Sequence, residues 1–274
     1  MQPNHCANCD EPIAATPRFC PACGQKTNLH RLTLKDVLHD GFHYFTHADK
    51  GIVQLVKALA TKPGVVAREY IAGKRKKYFP PLNFFLLVAA LFLFAATVTH
   101  RDRQMIETRD SVTAGVTGNM TLSEKKLQAQ QIVRQRSNEA YRYLARYTNY
   151  VAMLAVPYIS LIVWVMYRRS GYNYTEHLTA NLYLVGFTNL VHCLVVTPLM
   201  YFTRPYVNMM IFTVLFALFE IFYRTVFYYR FINDPIKQGL TKTIVKSAIA
   251  VLAWFALIFV FMAVFIAMGF IKQQ

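Results

Sequence analysis

Charge is scarce in this chain. Only 16% of its 274 residues are Asp, Glu, Lys or Arg, against roughly 25% in an ordinary soluble domain. Acids are scarcer than bases, 14 against 30, so the formal charge is +16. Signatures of soluble catalysis are missing too: there is no phosphate-binding P-loop, no Gly-x-Ser-x-Gly, no His-Glu-x-x-His and no dinucleotide-binding glycine pattern. These absences argue against a soluble enzyme. The stretch Met1–Cys6 has no apolar core, so no secretory signal is expected there.

What replaces charge is apolar sequence, 55% of the chain, and it is unevenly placed. Residues 1–80 are polar and rich in Lys, Arg and His; most of the rest falls into long apolar runs between short charged stretches. Several runs reach the ~20 residues that cross a bilayer as a helix. The expected fold is an all-α membrane protein with about five transmembrane helices, at about 82–98, 147–167, 178–200, 207–228 and 244–270. The third and fourth are joined only by Tyr201–Tyr206 and should form an antiparallel hairpin. The loop 99–146 is long, and Ser123 could cap a helix there that continues into the second span.

Residues 1–29 read as a separate head. Cys6-Ala7-Asn8-Cys9 and Cys20-Pro21-Ala22-Cys23 are two Cys-x2-Cys pairs separated by ten residues. Each pair can set two thiolates on one side of a tight turn, and two facing turns complete a tetrahedral zinc site. The segment is too short and polar for a core of its own, so the metal would supply its folding energy. A disulfide pair, an iron site and a redox Cys-x-x-Cys are the rivals. A four-thiolate site leaves no open position, which makes one structural zinc the expected cofactor. Cys193, inside an apolar run, reads as a small buried hydrophobe.

Residues 30–81 read as a basic, amphipathic segment on the membrane surface. Thr33 and Asp36 have the spacing of a helix cap, and Leu34, Val37, Leu38, Phe42 and Phe45 recur at helical spacing beyond them. Helices are also expected over Gly51–Ala60 and Val65–Ala72, separated by Pro63-Gly64. His39, His43 and His47 stand four residues apart on one face. They offer a second metal site or a pH-responsive patch; the plainer reading is a solvated polar face. Lys74, Arg75, Lys76 and Lys77 precede Tyr78-Phe79 and the first span, a composition suited to anionic lipid headgroups. Positive charge placed there points to lipid rather than nucleic acid.

Lys and Arg in short connections set orientation. Lys74–Lys77, Arg168-Arg169, Arg230, Lys237, Lys242 and Lys246 fall on one side of a five-span body, and only Arg204 on the opposite short connection. The N-terminus is therefore expected in the cytoplasm and the C-terminus outside, across a bacterial inner membrane. Reduced cysteines fit the cytoplasmic side.

Ionisable groups within spans are costly and are functional candidates by default. Glu220 lies well inside the fourth span with Arg224 one turn on. His177, Asn181, Thr188 and His192 follow helical periodicity along the third. Together Glu220, Arg224, Asn181, His177 and His192 suggest a polar seam. One reading is a site that handles protons, ions or headgroups; the other is interhelical hydrogen bonding that fixes packing.

The string Phe19-Cys20-Pro21-x-Cys23-Gly24-Gln25, then Pro63-Gly64…Glu69-Tyr70-Ile71-x-Gly73-Lys74-Arg75, then Tyr78-x-Pro80-Pro81, with Tyr174-x-Glu176-His177-Leu178 before the third span, resembles a bacterial polytopic membrane family with an N-terminal zinc ribbon, known only as a domain of unknown function. The resemblance implies the architecture of zinc ribbon plus spans and carries no activity. The expected function is a non-enzymatic membrane scaffold or adaptor whose head docks a membrane or cytoplasmic protein, or a homo-oligomer. The alternative is a small transporter, channel or lipid-handling protein working through the seam around Glu220.

Overall fold

A computed structural model describes residues 5–13, 18–27, 30–43, 51–98, 130, 133, 136, 137, 139, 140, 154–203, 209–233 and 239–271. Among them the chain is helical, with no strand; two isolated bridge pairs, His5 with Pro12 and Phe19 with Lys26, occur in the head. The helices in order are α1 (Leu34–His43), α2 (Gly51–Thr61), α3 (Val65–Ile71), α4 (Pro81–Val98), α5 (Leu154–Met166), α6 (Tyr174–Thr203), α7 (Met209–Ile232) and α8 (Leu240–Ile271). Most of the 99–146 loop, including Ser123, lies outside the described residues.

Helices α6, α7 and α8 are each long and apolar enough to cross a membrane, which marks the chain as a membrane protein. α4 and α5 are apolar but shorter. α6 and α8 run past both bounds that the apolar runs suggest, and α7 past its C-terminal bound. α6 begins early for a local reason: Asn173 accepts a hydrogen bond from the Glu176 amide at 2.8 Å, and Glu176 accepts one from the Asn173 amide at 2.7 Å. This reciprocal capping satisfies two backbone donors that would otherwise lack partners.

Two compact units divide the chain. The first holds Met1–Phe92 and Val156–Val251, and the second Leu93–Ala155 and Leu252–Gln274. In the second, Arg136 and Glu139 form an ion pair at 3.0 Å. In the first, α3 packs on both α6 and α7, and the core gathers Leu55 and Leu59 of α2, Val66 and Ala67 of α3, Phe84 of α4, Tyr183 and Leu184 of α6, and Phe227 and Phe231 of α7, all fully buried. Tyrosine hydroxyls buried in this core reach backbone carbonyls on other elements: Tyr183 donates to Phe79 at 2.7 Å and Tyr223 to Leu59 at 3.1 Å.

The α2–α3 turn is locked onto α7. Arg68 donates to the Arg230 carbonyl at 3.0 Å, and Arg230 donates to the Thr61 carbonyl at 3.2 Å. Gly64, at φ 79°, faces the α7 backbone: a Cβ there would run into the Phe227 carbonyl oxygen and approach the Phe231 amide nitrogen to 2.8 Å. Glycine alone gives both the left-handed backbone and the close approach.

α6 contains one wide turn, His192–Val196, in which the Thr197 amide bonds to the His192 carbonyl five residues back. Pro198 has no amide hydrogen, and its ring would collide with the carbonyl four residues earlier; the wide turn relieves both. Residues 176–184 of α6 are buried throughout, whereas Leu194, Val195, Leu199, Tyr201 and Phe202 are exposed.

Gly64→Ala should destabilise the protein by about 3 kcal/mol or more, from left-handed strain plus overlap with a helix backbone. Gly239→Ala, where a Cβ would meet nothing within 4 Å, should be close to neutral. Thermal unfolding of the two variants in one detergent checks this; equal melting temperatures would contradict the close approach.

Candidate metal centre and buried polar seam

The four cysteines come together. Their sulfurs all lie within 4.8 Å of one another, with Cys6–Cys23 and Cys9–Cys20 both at 3.6 Å. A tetrahedral thiolate site with bonds of ~2.3 Å requires sulfurs ~3.8 Å apart, so the cluster fits a single metal ion. The two turns are built alike. The Asp10 amide bonds to the Cys6 carbonyl and the Gly24 amide to the Cys20 carbonyl, both at 2.9 Å. Cys6 and Cys20 each donate a backbone hydrogen bond across the turn, to Glu11 at 2.8 Å and Gln25 at 2.7 Å. The residue after each second cysteine has positive φ, 63° at Asp10 and 69° at Gly24. Glycine is the usual residue for such backbone, whereas Asp10 gives no sign of it in the sequence.

The head and the stretch directly after it are tied to the helices by side chains. Gln25, itself buried, accepts from the Lys76 amide at 3.1 Å. Arg31 grips Glu176 at the start of α6 with two nitrogens, at 2.9 and 2.8 Å, and the Gly171 carbonyl at 2.6 Å. Asn173 donates to the Leu32 carbonyl at 3.3 Å, and Arg75 to that of His30 at 3.3 Å. A forked guanidinium–carboxylate pair gives direction as well as attraction.

The basic cluster before α4 carries its own counter-charge. Glu69 on α3 takes Lys77 at 2.7 Å, Lys74 at 3.3 Å and the Tyr78 hydroxyl at 2.6 Å. Burial alone would raise the Glu69 carboxyl, but the hydrogen bonds from Lys77, Tyr78 and Lys74 outweigh it and hold the group at about 2. Two of the four residues expected to meet lipid headgroups are therefore partly neutralised from within, and Arg75 is held by His30.

The side chains of His39 and His43 on α1, and all of His47, lie outside the described residues. In the seam, Arg224 is the hub. It is 3% exposed and donates to Glu220 at 3.0 Å and to Asn181 at 3.2 Å; Asn181 in turn donates to Ser160 of α5 at 3.1 Å. α6 and α7 run antiparallel along this line: His177 stacks on Tyr228 with ring centres 6.1 Å apart, Asn181 meets Arg224, and His192 packs edge-on against Phe216 at 4.8 Å. Asn181 thus sits level with Arg224 rather than with Glu220. His177 is enclosed by Tyr167, Tyr172, Tyr228 and Phe231. His192 belongs to a separate aromatic contact with Phe92 and Phe216. Residue spacing did not reveal Ser160, Tyr167 or Tyr228, because their roles depend on which helices become neighbours. The Glu176 cap could have been read from Asn173-x-x-Glu176.

A family model described as a protein of unknown function (DUF3667) matches residues 49–93. The match covers α2, α3 and most of α4, the segment holding Gly64 and Glu69. No curated protein and no solved structure matches the chain.

Asn181→Ala should cost about 2 kcal/mol by leaving Arg224 and Ser160 short of a partner in a buried site. In a double-mutant cycle with Arg224→Met, the losses should be clearly non-additive; additive losses would break the proposed network. For Glu69, the carboxyl is lowered from 4.5 to about 2 in the folded chain. Its contribution is therefore present above about pH 4.5 and disappears as pH falls toward 2. The melting difference between the protein and Glu69→Gln should shrink across that window and stay constant above it.

Proposed function

We propose that the chain is a non-enzymatic integral membrane scaffold or adaptor, with a head that carries one structural zinc and docks a protein partner. The observation that carries this reading is the forked Arg31–Glu176 pair, at 2.9 and 2.8 Å, which joins the stretch just after the head to the first turn of α6. A closed thiolate site performs no ligand exchange, but a head fixed to a membrane helix transmits whatever binds it. Phe19, half exposed on the head between the cysteine pairs, offers an apolar anchor for a partner.

In this proposal α4 to α8 are five spans of a bacterial inner-membrane protein, with the head cytoplasmic and the C-terminus outside. Lys76 and its basic neighbours face anionic headgroups, while the bonds that Glu69 makes to Lys74, Lys77 and Tyr78 fix how α3 meets α4. Zinc is favoured by the four-sulfur set and by the folding energy it would give so short a head.

A second reading is favoured by one observation, the Glu220–Arg224 ion pair halfway along α7 at 3.0 Å. Intramembrane charge of this kind marks ion, proton or lipid pathways in other proteins, and the chain would then be a small transporter, channel or lipid-handling protein. Reconstituted vesicles showing no flux above empty controls would remove it.

The scaffold reading predicts one zinc per chain by elemental analysis and capture of a defined partner, or of a second copy, from gently solubilised membranes. Cys9→Ser should lose the zinc, and Phe19→Ala and Arg31→Ala should weaken capture without loss of membrane insertion. A strictly monomeric protein with no partner, or capture indifferent to all three substitutions, would refute it.

A further inference from the structure

The seam contains more hydrogen-bond donors than it uses. Arg224 bonds through both terminal nitrogens, but its Nε, buried, has no partner. The hydroxyls of Tyr167 and Tyr228 lie near Thr243 and Asn181 without making a hydrogen bond of proper geometry to either. Ser247 Oγ and both ring nitrogens of His177 are likewise buried and unpartnered. These groups belong to one neighbourhood. Tyr167 and Tyr228 stack at 5.1 Å, His177 lies 6.1 Å from each ring, and Arg224 stands one turn before Tyr228 on α7. Ser247 stands one turn after Thr243 on α8.

The two terminal nitrogens of Arg224 already go to Asn181 Oδ1 and to one oxygen of the Glu220 carboxylate. Lys246 adds a second positive charge, its ammonium 3.9 Å from the centre of the Tyr167 ring, and among the described residues it pairs with no carboxylate. Two cations thus stand against one acid in a bundle with apolar surroundings. A buried polar atom without a partner is costly, and native proteins leave few of them. What would satisfy Arg224 Nε, two phenols, a serine and Lys246 together is negative charge spread over several acceptor oxygens.

We propose that Arg224, Tyr167, Tyr228, Ser247 and Lys246 form a binding site for a phosphate-class oxyanion, on α7, α8 and the turn after α5. The oxygens accept from Arg224 Nε and the hydroxyls, and Lys246, the least buried of the five, is the entry-side cation. Tyr167, stacked on the Tyr228 ring and with the Lys246 ammonium 3.9 Å from its ring centre, is held in place by both contacts. The same chemistry is offered by the phosphodiester of an anionic lipid and by free inorganic phosphate. The site goes beyond both functional readings and needs neither: a resident lipid would occupy it without being transported.

The purified full-length protein in phosphatidylcholine nanodiscs provides the test. Phosphatidylglycerol is titrated into the discs in one arm and inorganic phosphate into the buffer in the other, with melting temperature and lipid retained in native mass spectrometry as readouts. A ligand that binds only the folded state raises the melting point saturably. Lys246→Gln should weaken the apparent affinity about tenfold, and Tyr228→Phe by a smaller factor, consistent with loss of a charged or a single neutral donor. Both should melt normally in phosphatidylcholine alone, which keeps binding separate from folding. Lys242→Gln, an exposed lysine one turn away, controls for general surface charge and should change little. Response to phosphatidylglycerol alone identifies a lipid source; response to phosphate identifies a free oxyanion; either supports the site. No saturable response in either arm, or equal effects of Lys242→Gln and Lys246→Gln, would overturn it. Binding without flux in vesicles would leave the site standing and remove transport.

Discussion

Arg224 brings a permanent charge into a bundle where little water can reach it, and the arrangement of three helices follows from satisfying it. Glu220, one turn away on the same helix, supplies the counter-charge. Asn181 supplies an acceptor from α6 and passes the connection to Ser160 on α5. A guanidinium is planar and its donors point in fixed directions, so the contact sets the register between α6 and α7 as well as their proximity. The aromatic pairs on either side, His177 with Tyr228 and His192 with Phe216, fall in line with that register. Apolar packing alone tolerates sliding; a buried charge with directional partners does not.

The segment of α1 to α3 joins this bundle to the cysteine cluster by the same economy of paired groups. Its α2–α3 turn meets the end of α7 through a position with no side chain, Gly64, and through reciprocal arginine–carbonyl bonds. Its basic stretch is gathered onto Glu69. The head is fastened at Gln25, and the stretch after it at Arg31. These directional links act alongside the apolar burial of Leu55, Leu59, Val66 and Ala67 in the shared core.

Sequence carried the local features furthest. Cysteine spacing is a property of two short turns, so the four-cysteine cluster was readable from Cys6, Cys9, Cys20 and Cys23 alone. Helices α1 and α3 begin where Thr33 and Pro63-Gly64 place them, because caps and breaks act within a few residues. Asn181 was readable as part of a stripe, but its partner was not: helical periodicity gives a face, and only packing decides that Arg224 rather than Glu220 meets it. Tyr167 and Lys246 gave no signal in their own helices, since a tyrosine near a span end and a lysine in a basic stretch are ordinary there. Lys74 and Lys77 looked like free surface charge because their acid, Glu69, precedes them by several residues across a turn. Asp10 gave no hint of its backbone, which is set by the cysteine turn and not by aspartate.

The wide turn at His192–Val196 changes what α6 can be. One added residue rotates everything beyond it by about 100° relative to an unbroken helix, so a stripe that begins at His177 cannot keep its phase to the far end. The helix becomes two short rods sharing one axis. The first is addressed to other protein, with His177, Asn181 and Tyr183 fully buried; the second shows Leu194, Val195, Leu199, Tyr201 and Phe202 to its surroundings. A single proline, Pro198, thereby lets one continuous span change allegiance partway along its length, from neighbouring helices to lipid or another subunit.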